Sequence, residues 1–224
     1  PLSIGGELIQ PSDSVRLLGV LLDRNLTMGE QVSFTISSSF FGLRQIKAIR
    51  RCLPPGVVKT LIGAFVMSRI DYCSTLYIGQ PKKQLNRFQS VLNSAARLIF
   101  GMSKYAHTTP LLRDLHWLRF PERVVYRVCL MVFKALNNMA PSYLADMISP
   151  VEMGVRRRTL RSAGDGAVEL VQPHRQILTN FGDRAFRFAG PMQWNRLPPG
   201  VRGAKTLGVF KGALKTHLFR LSYP

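Results

Sequence analysis

The chain is 224 residues long, 46% hydrophobic, and carries 31 Lys and Arg against 12 Asp and Glu, for a net charge of +19 and a pI near 10.9. That apolar content suffices for one domain or two small ones and excludes a disordered tail, while the positive excess points to a polyanionic partner whose phosphates displace counterions. Three dispersed cysteines, Cys52, Cys73 and Cys129, exclude a disulfide framework and a metal knuckle, and every apolar run falls short of the roughly 20 residues of a bilayer span.

Leu2, Ile4, Leu8 and Ile9 flank Gly5-Gly6 and predict a hairpin; after the turn signals of Pro11 to Ser14, the apolar run Val15 to Leu22 reads as a buried strand. From Glu30 the period becomes helical, with Val32, Ile36, Phe40, Leu43 and Ile46 on one stripe until Pro54-Pro55 stops it. Apolar helices are expected over Gly56 to Met67 and from Ser68 to about Tyr77, ended by Gly79 and Pro81. Lys82 to Phe100 places Leu85, Phe88, Leu92 and Ile99 together, opposite Lys83, Arg87 and Arg97, with Gly101 as C-cap. A short helix over Thr109 to Trp117 and a long one over Pro121 to Asn137 follow, the latter bearing Arg123, Arg127 and Lys134 on a basic face. Beyond Pro150, 13 basic side chains face 4 acidic ones. Arg156, Arg157, Arg158 and Arg161 suggest a solvated basic loop, Val168 to Val171 a short strand, and Asp183 to Asn195 and Leu207 to Arg220 two more helices.

Two-metal nucleotidyl transfer needs paired carboxylates to hold its ions. No two acidic residues here are adjacent or two apart, and Asp71-Tyr72 lies in an apolar helical stretch, so no catalytic or metal-ligating residue is assigned. GxxxxGK[ST], GxSxG and HExxH are also missing from the sequence, and His116 beside Trp117 reads as a core or groove-lining histidine rather than a general base. What remains is basic side chains at helical spacing. Arg44, Lys47 and Arg51 share one face, and several such stripes with few compensating carboxylates favour a phosphate-tracking groove over an ordinary solvated helix.

Three stretches carry a family resemblance. Val15-Arg16-Leu17-Leu18-Gly19-Val20-Leu21-Leu22-Asp23 with Asn25-Leu26 resembles the primer-grip segment, LGVxxDxxL, of non-LTR (LINE-type) retrotransposon reverse transcriptases. Ala95-Ala96-Arg97-Leu98-Ile99, Thr109-Pro110-Leu111-Leu112 and Leu115-His116-Trp117-Leu118, with Arg123 beyond, are similar to a further segment of the same proteins. Asn180-Phe181-Gly182-Asp183-Arg184-Ala185-Phe186, Gly190-Pro191, Trp194-Asn195-Arg196-Leu197-Pro198 and the closing Phe210 to Phe219 resemble their tail. The likeness runs from about Val15 to Phe219 and is greatest to the CR1 and L2-like branch; Phe120 departs from it, standing where the family has a small or polar residue.

The resemblance implies a mainly α fold: a helical thumb-like bundle with a small N-terminal β-hairpin and a basic α-rich C-terminal region. It implies the end of the palm and the primer-grip strands over residues 1–28, a thumb over 29–105, and a C-terminal basic region over 106–224. In such a fragment of an RNA-directed DNA polymerase, cut from a longer chain, Leu18, Gly19 and Val20 would support the primer end, with Gly19 allowing close backbone approach. Arg44, Lys47, Arg51, Lys83, Arg87, Arg97, Arg123, Arg127, Lys134 and the arginines at 156, 157, 158 and 161 would meet nucleic acid, and Phe181, Phe186 and Trp194 would either stack on bases or anchor packing. The fragment itself would need no cofactor. Mg²⁺ would belong to the missing palm. The expected partners are an RNA-DNA template-primer or the element RNA, together with the palm and fingers of the same polypeptide, in cytoplasm and nucleus and without a membrane. A stand-alone RNA-binding protein derived from such an element is the alternative, and a purely structural helical module a third.

Overall fold

The computed structural model describes residues 2–151, 168–173 and 182–224. It is mainly helical, with small antiparallel hairpins at the N-terminus, and divides into two compact units: Pro1–Cys73 with Lys82–Met102, and Ser74–Pro81 with Ser103–Pro224.

In the first unit β1 (Leu2–Ile4) pairs with β2 (Glu7–Ile9) around Gly5-Gly6, as the sequence predicts. The next run differs from expectation. Val15 to Leu22 is not one buried strand but a second hairpin, β3 (Ser14–Leu17) and β4 (Val20–Asp23), with Leu17 opposite Val20. Leu18 (φ 47°) and Gly19 (φ 82°) form the two-residue turn, whose paired positive φ values match the right-handed strand twist. Leu17-Leu18 before a lone glycine conceals such a turn. Val15, Leu17 and Leu18 are therefore exposed, Leu18 by 83%, and only Val20 enters the core.

Asp23 then starts the next helix: its carboxylate accepts the Thr27 and Met28 N–H groups at 2.8 and 2.7 Å and the Thr27 hydroxyl at 3.1 Å. Helix α1 (Gly29–Ile49) buries Val32, Ile36, Leu43 and Ile46. Gln31, also buried, accepts from the Leu21 N–H (2.8 Å) and donates to the Thr35 hydroxyl (3.1 Å), fastening β4 to α1 with its polar ends satisfied.

After a 3₁₀ turn (Arg50–Cys52), Pro55 occupies the first turn of α2 (Pro55–Ile62), where its missing N–H costs no hydrogen bond. A π-helical turn (Gly63–Met67) carries the helix without a break into α3 (Ser68–Asp71). The expected division at Ser68 is not there; the chain leaves the helix only at Tyr72 and Cys73. Helix α4 (Lys82–Phe100) has the predicted bounds and buries Phe88, Val91, Leu92, Ala95, Ala96 and Ile99. Gly101 (φ 67°) ends it in a Schellman motif, with Met102 N–H bonded to the Arg97 carbonyl (2.9 Å) and Gly101 N–H to that of Leu98 (3.3 Å). Arg50 adds two bonds to this end, from Nε to the Leu98 carbonyl (2.9 Å) and from Nη2 to that of Ile99 (3.3 Å).

The second unit begins with a 3₁₀ turn (Ser74–Tyr77) that packs on α6 (Phe120–Leu136), where the Tyr77 and Phe120 rings lie 6.1 Å apart. Phe120, the departure from the family pattern, is thus a fully buried anchor for the start of α6. Helix α5 (Thr108–Asp114) precedes it, and α7 (Ser142–Ala145), α8 (Phe186–Asn195), α9 (Pro199–Arg202) and α10 (Leu207–Ser222) complete the described helices. Their core joins Cys129, Val132 and Phe133 of α6 to Trp194, Phe210, Leu214 and Leu218. Phe133 stacks on Phe210 at 4.4 Å, and Trp194 lies 5.5 Å from the same ring. Gly190 lets α8 approach α6 closely, since a Cβ there would lie 3.1 Å from Val132. In place of a strand over Val168 to Val171 there is one bridge, Leu170 to Pro150, held by Asn195, whose side chain bonds both the N–H (3.0 Å) and the carbonyl (2.8 Å) of Leu170.

Candidate nucleic-acid interface

A helix advances 100° per residue, which puts Ser33, Ser37 and Arg44 in line along α1, away from its buried stripe. Arg44 is exposed on that line, Lys47 is exposed at the border of the buried stripe, and Arg51 is exposed in the 3₁₀ turn that follows α1. From Ser33 to Lys47 this face runs about 21 Å at 1.5 Å per residue, the axial length of about six nucleotides of one strand. Arg87 of α4 reaches it: Nη2 donates to the Ser33 hydroxyl at 3.0 Å, while Nη1 holds Gln84 at 2.9 Å. Lys83 is exposed on α4 and Arg97 half-buried.

Aromatic rings interleave with these cations. Phe34 and Phe41, 46% and 55% exposed, flank the basic line, with the Arg16 guanidinium 5.2 Å from the Phe34 ring and that of Arg44 6.0 Å from Phe41. A cleft of about 400 Å³ opens beside them, lined by Gly19, Phe34, Ser38, Arg69 and Tyr72 among others. The sequence periodicity picked out the cations but not these phenylalanines. The available signal was that Phe34 and Phe41, seven apart, fall on the Arg44 side of the helical wheel, away from the core.

Leu18, Gly19 and Val20, expected as a primer-grip strand, take a different form. Leu18 and Gly19 are the hairpin turn and Val20 opens β4. The Tyr72 hydroxyl donates to the Leu18 carbonyl and fixes the turn. Gly19 takes a positive φ that glycine adopts without strain, and within the chain a Cβ there would meet nothing nearer than Tyr72 at 3.9 Å.

In the second unit Arg123 and Arg127, one helical turn apart on α6, line a groove of about 430 Å³ with Lys211 and Lys215, likewise one turn apart on α10. Trp117 and Tyr126 complete its walls, and no Asp or Glu lines it among the described residues. Burial pushes the Tyr126 phenol above its usual range although neighbouring Arg127 acts in the opposite sense, so the ring stays neutral. The groove floor is fastened at one end: the Tyr223 hydroxyl donates to the Trp117 carbonyl at 2.9 Å, and His116 meets Phe219 edge-on at 5.8 Å. His116 Nδ1 lies 2.9 Å from the Arg113 carbonyl, an acceptor only, so Nδ1 carries the proton. Lys134 continues the α6 face two turns beyond Arg127 and is half-buried.

No family model, curated protein or solved structure matches the chain. Trp194 is 1% exposed, and its indole N–H donates to the Val168 carbonyl at 2.9 Å, so it anchors packing and presents no face for a base. Phe186 is half-buried; Phe181 and the arginines at 156, 157, 158 and 161 lie outside the described residues. Among the described residues no three His, Cys, Asp or Glu side chains gather as a metal site, and no helix is long and apolar enough to cross a membrane.

Proposed function

We propose that the chain is the nucleic-acid-binding C-terminal portion of an RNA-directed DNA polymerase of the LINE type, holding an RNA-DNA template-primer duplex without catalysing its extension. The observation that carries this reading is the set of exposed cations Arg44 and Lys47 of α1 and Arg51 of the 3₁₀ turn after it, near the exposed rings of Phe34 and Phe41. An exposed line of cations follows a phosphate backbone through counterion release, which is indifferent to base sequence. Rings beside that line pack against sugars or the shallow minor groove of an A-like hybrid, whose shape rather than base edges is presented to the protein. The ordered motifs from Val15 to Phe219 supply the family assignment, and with it the palm, fingers and Mg²⁺ of the longer polypeptide.

The test is retention of RNA-DNA hybrids of three unrelated sequences by the purified chain in 0.1 M salt, with a primer-extension reaction alongside. Equal affinities without extension support the proposal. Sequence-selective binding, indifference to hybrids, or unaided extension would each contradict it. A Tyr-x-Asp-Asp-bearing frame upstream in the coding sequence separates a polymerase fragment from a stand-alone RNA-binding protein.

A further inference from the structure

We infer that the cleft between α1 and α3 receives one unpaired nucleotide of the bound strand, with its base against Phe34 and Tyr72 and its phosphate on Arg69. The inference rests on the reading of α1 as the strand-bearing face, and adds a pocket that the α1 cations do not themselves form. Around the outward side of α1, at 100° per residue, Arg44 and Ser37 come first, then Phe41 and Phe34, then Ser38. A backbone carried on Arg44 therefore lies about a third of a turn from the cleft, with both rings between.

Both helices build the cavity. One extra residue in the π-helical turn (Gly63–Met67) rotates α3 by about 100° relative to an unbroken α-helix, and Arg69 and Tyr72 line the cleft from that side. Among the described residues the exposed Arg69 guanidinium meets only the Ser38 carbonyl, a long contact of 3.5 Å, which leaves its other N–H donors for a phosphate. The Tyr72 ring, 51% exposed, is steadied by its hydroxyl bond to the Leu18 carbonyl. Gln31 and Thr35, each 5% exposed, also line the cavity. Gln31 Oε1 accepts from the Leu21 N–H, and one amide N–H goes to the Thr35 hydroxyl oxygen. The second amide N–H and the hydroxyl proton meet no acceptor among the described residues, so two buried donors remain. These donors, two exposed rings and a guanidinium share about 400 Å³, the size of pockets that enclose one small molecule. A bare phosphate leaves the rings unused, and an aliphatic side chain leaves the donors unmet. A nucleotide supplies an acceptor-bearing edge, a π face and a phosphate together. A paired base keeps its faces within the stack, so the occupant is unpaired.

The test compares a blunt 20-base-pair RNA-DNA hybrid with the same hybrid carrying a three-nucleotide RNA overhang, each titrated with the full chain in 0.1 M salt. The overhang is expected to tighten binding about 10-fold, the worth of one stacked base, and an abasic overhang should give no such gain. Arg69→Ala and Tyr72→Leu should each remove most of the gain while binding the blunt hybrid as the parent chain does. Tyr72→Phe, which keeps the ring without the hydroxyl bond, should keep the gain; its loss there would assign Tyr72 to fastening the hairpin and overturn the base contact. R44A/K47A/R51A should weaken both hybrids and leave their ratio unchanged. The inference is also overturned if blunt and overhanging hybrids bind alike, if the abasic overhang gives the same gain, or if polyglutamate removes the gain at equal charge concentration. Blunt-hybrid binding with no overhang effect strikes this pocket and leaves the α1 grip standing. An overhang held through Arg69 and Tyr72 by a chain that ignores the blunt hybrid keeps the pocket and strikes the grip.

Discussion

Removing the Arg50 guanidinium tests how α4 is closed. Its two bonds to the Leu98 and Ile99 carbonyls join a cation to the negative end of a helix. At a half-exposed position they contribute about 1–2 kcal/mol together, and Arg50→Met, which keeps the apolar stem, should lose that amount. Gly101→Ala should cost more. It forces Ala into a left-handed conformation, about 1–2 kcal/mol, and its Cβ would lie 2.5 Å from Arg50 Nη2, expelling the guanidinium and its bonds as well. The double variant then resembles Gly101→Ala alone, so the two single effects should exceed the double by about 1–2 kcal/mol in urea unfolding followed by far-ultraviolet circular dichroism. Agreement of the sum with the double within about 0.5 kcal/mol would refute the shared mechanism.

Three other perturbations have defined outcomes. Partial burial tends to raise the Asp23 carboxyl, but hydrogen bonds from Thr27 and Met28 outweigh it and hold the group below its ordinary range. Its contribution is therefore complete above the unfolded carboxyl pKa of about 4 and disappears as pH falls through the lower folded value. The stability gap between the parent chain and Asp23→Asn should be constant from pH 7 to 5 and shrink below about pH 4; a gap unchanged at pH 2 would rule out the carboxylate as its source. Asn195→Ala removes both Leu170 backbone bonds and should destabilise by about 2–4 kcal/mol, two bonds plus the groups left unsatisfied, whereas a loss under about 0.5 kcal/mol would mean the bridge is dispensable. Burial pushes the Cys129 thiol up to about 12, while Cys52 and Cys73 are exposed. Iodoacetamide at pH 8 should then label the latter two in the native chain and Cys129 only after unfolding; native labelling of Cys129 would show that the α6 core opens readily.

Local chemistry made much of the fold legible. The α4 stripe ends at a glycine that a C-cap explains, and Pro54-Pro55, read as the stop of the first long helix, falls where α2 begins at Pro55. The second hairpin was illegible because Leu18 adopts a turn conformation costly for a leucine, with its carbonyl fixed by Tyr72, a residue 54 positions away. Trp194 reads equally well as a base-stacking or packing residue until Val168, 26 positions upstream, supplies its backbone partner, and the role of Asn195 emerges only with Leu170, 25 positions upstream. The same limit governs the interface. Periodicity places Arg123 with Arg127 and allows Lys211 with Lys215, but that both pairs face one groove follows from the stacking of Phe133 on Phe210, a tertiary event.

The central claim is that exposed cations on α1 track a phosphate backbone, and the salt dependence of hybrid affinity measures it directly. For a 20-base-pair RNA-DNA hybrid, R44A/K47A/R51A should reduce the slope of log K against log salt by up to about 3, near 0.9 for each phosphate left without its cation. An identical slope for variant and parent chain would remove this face from the interface and contradict the account.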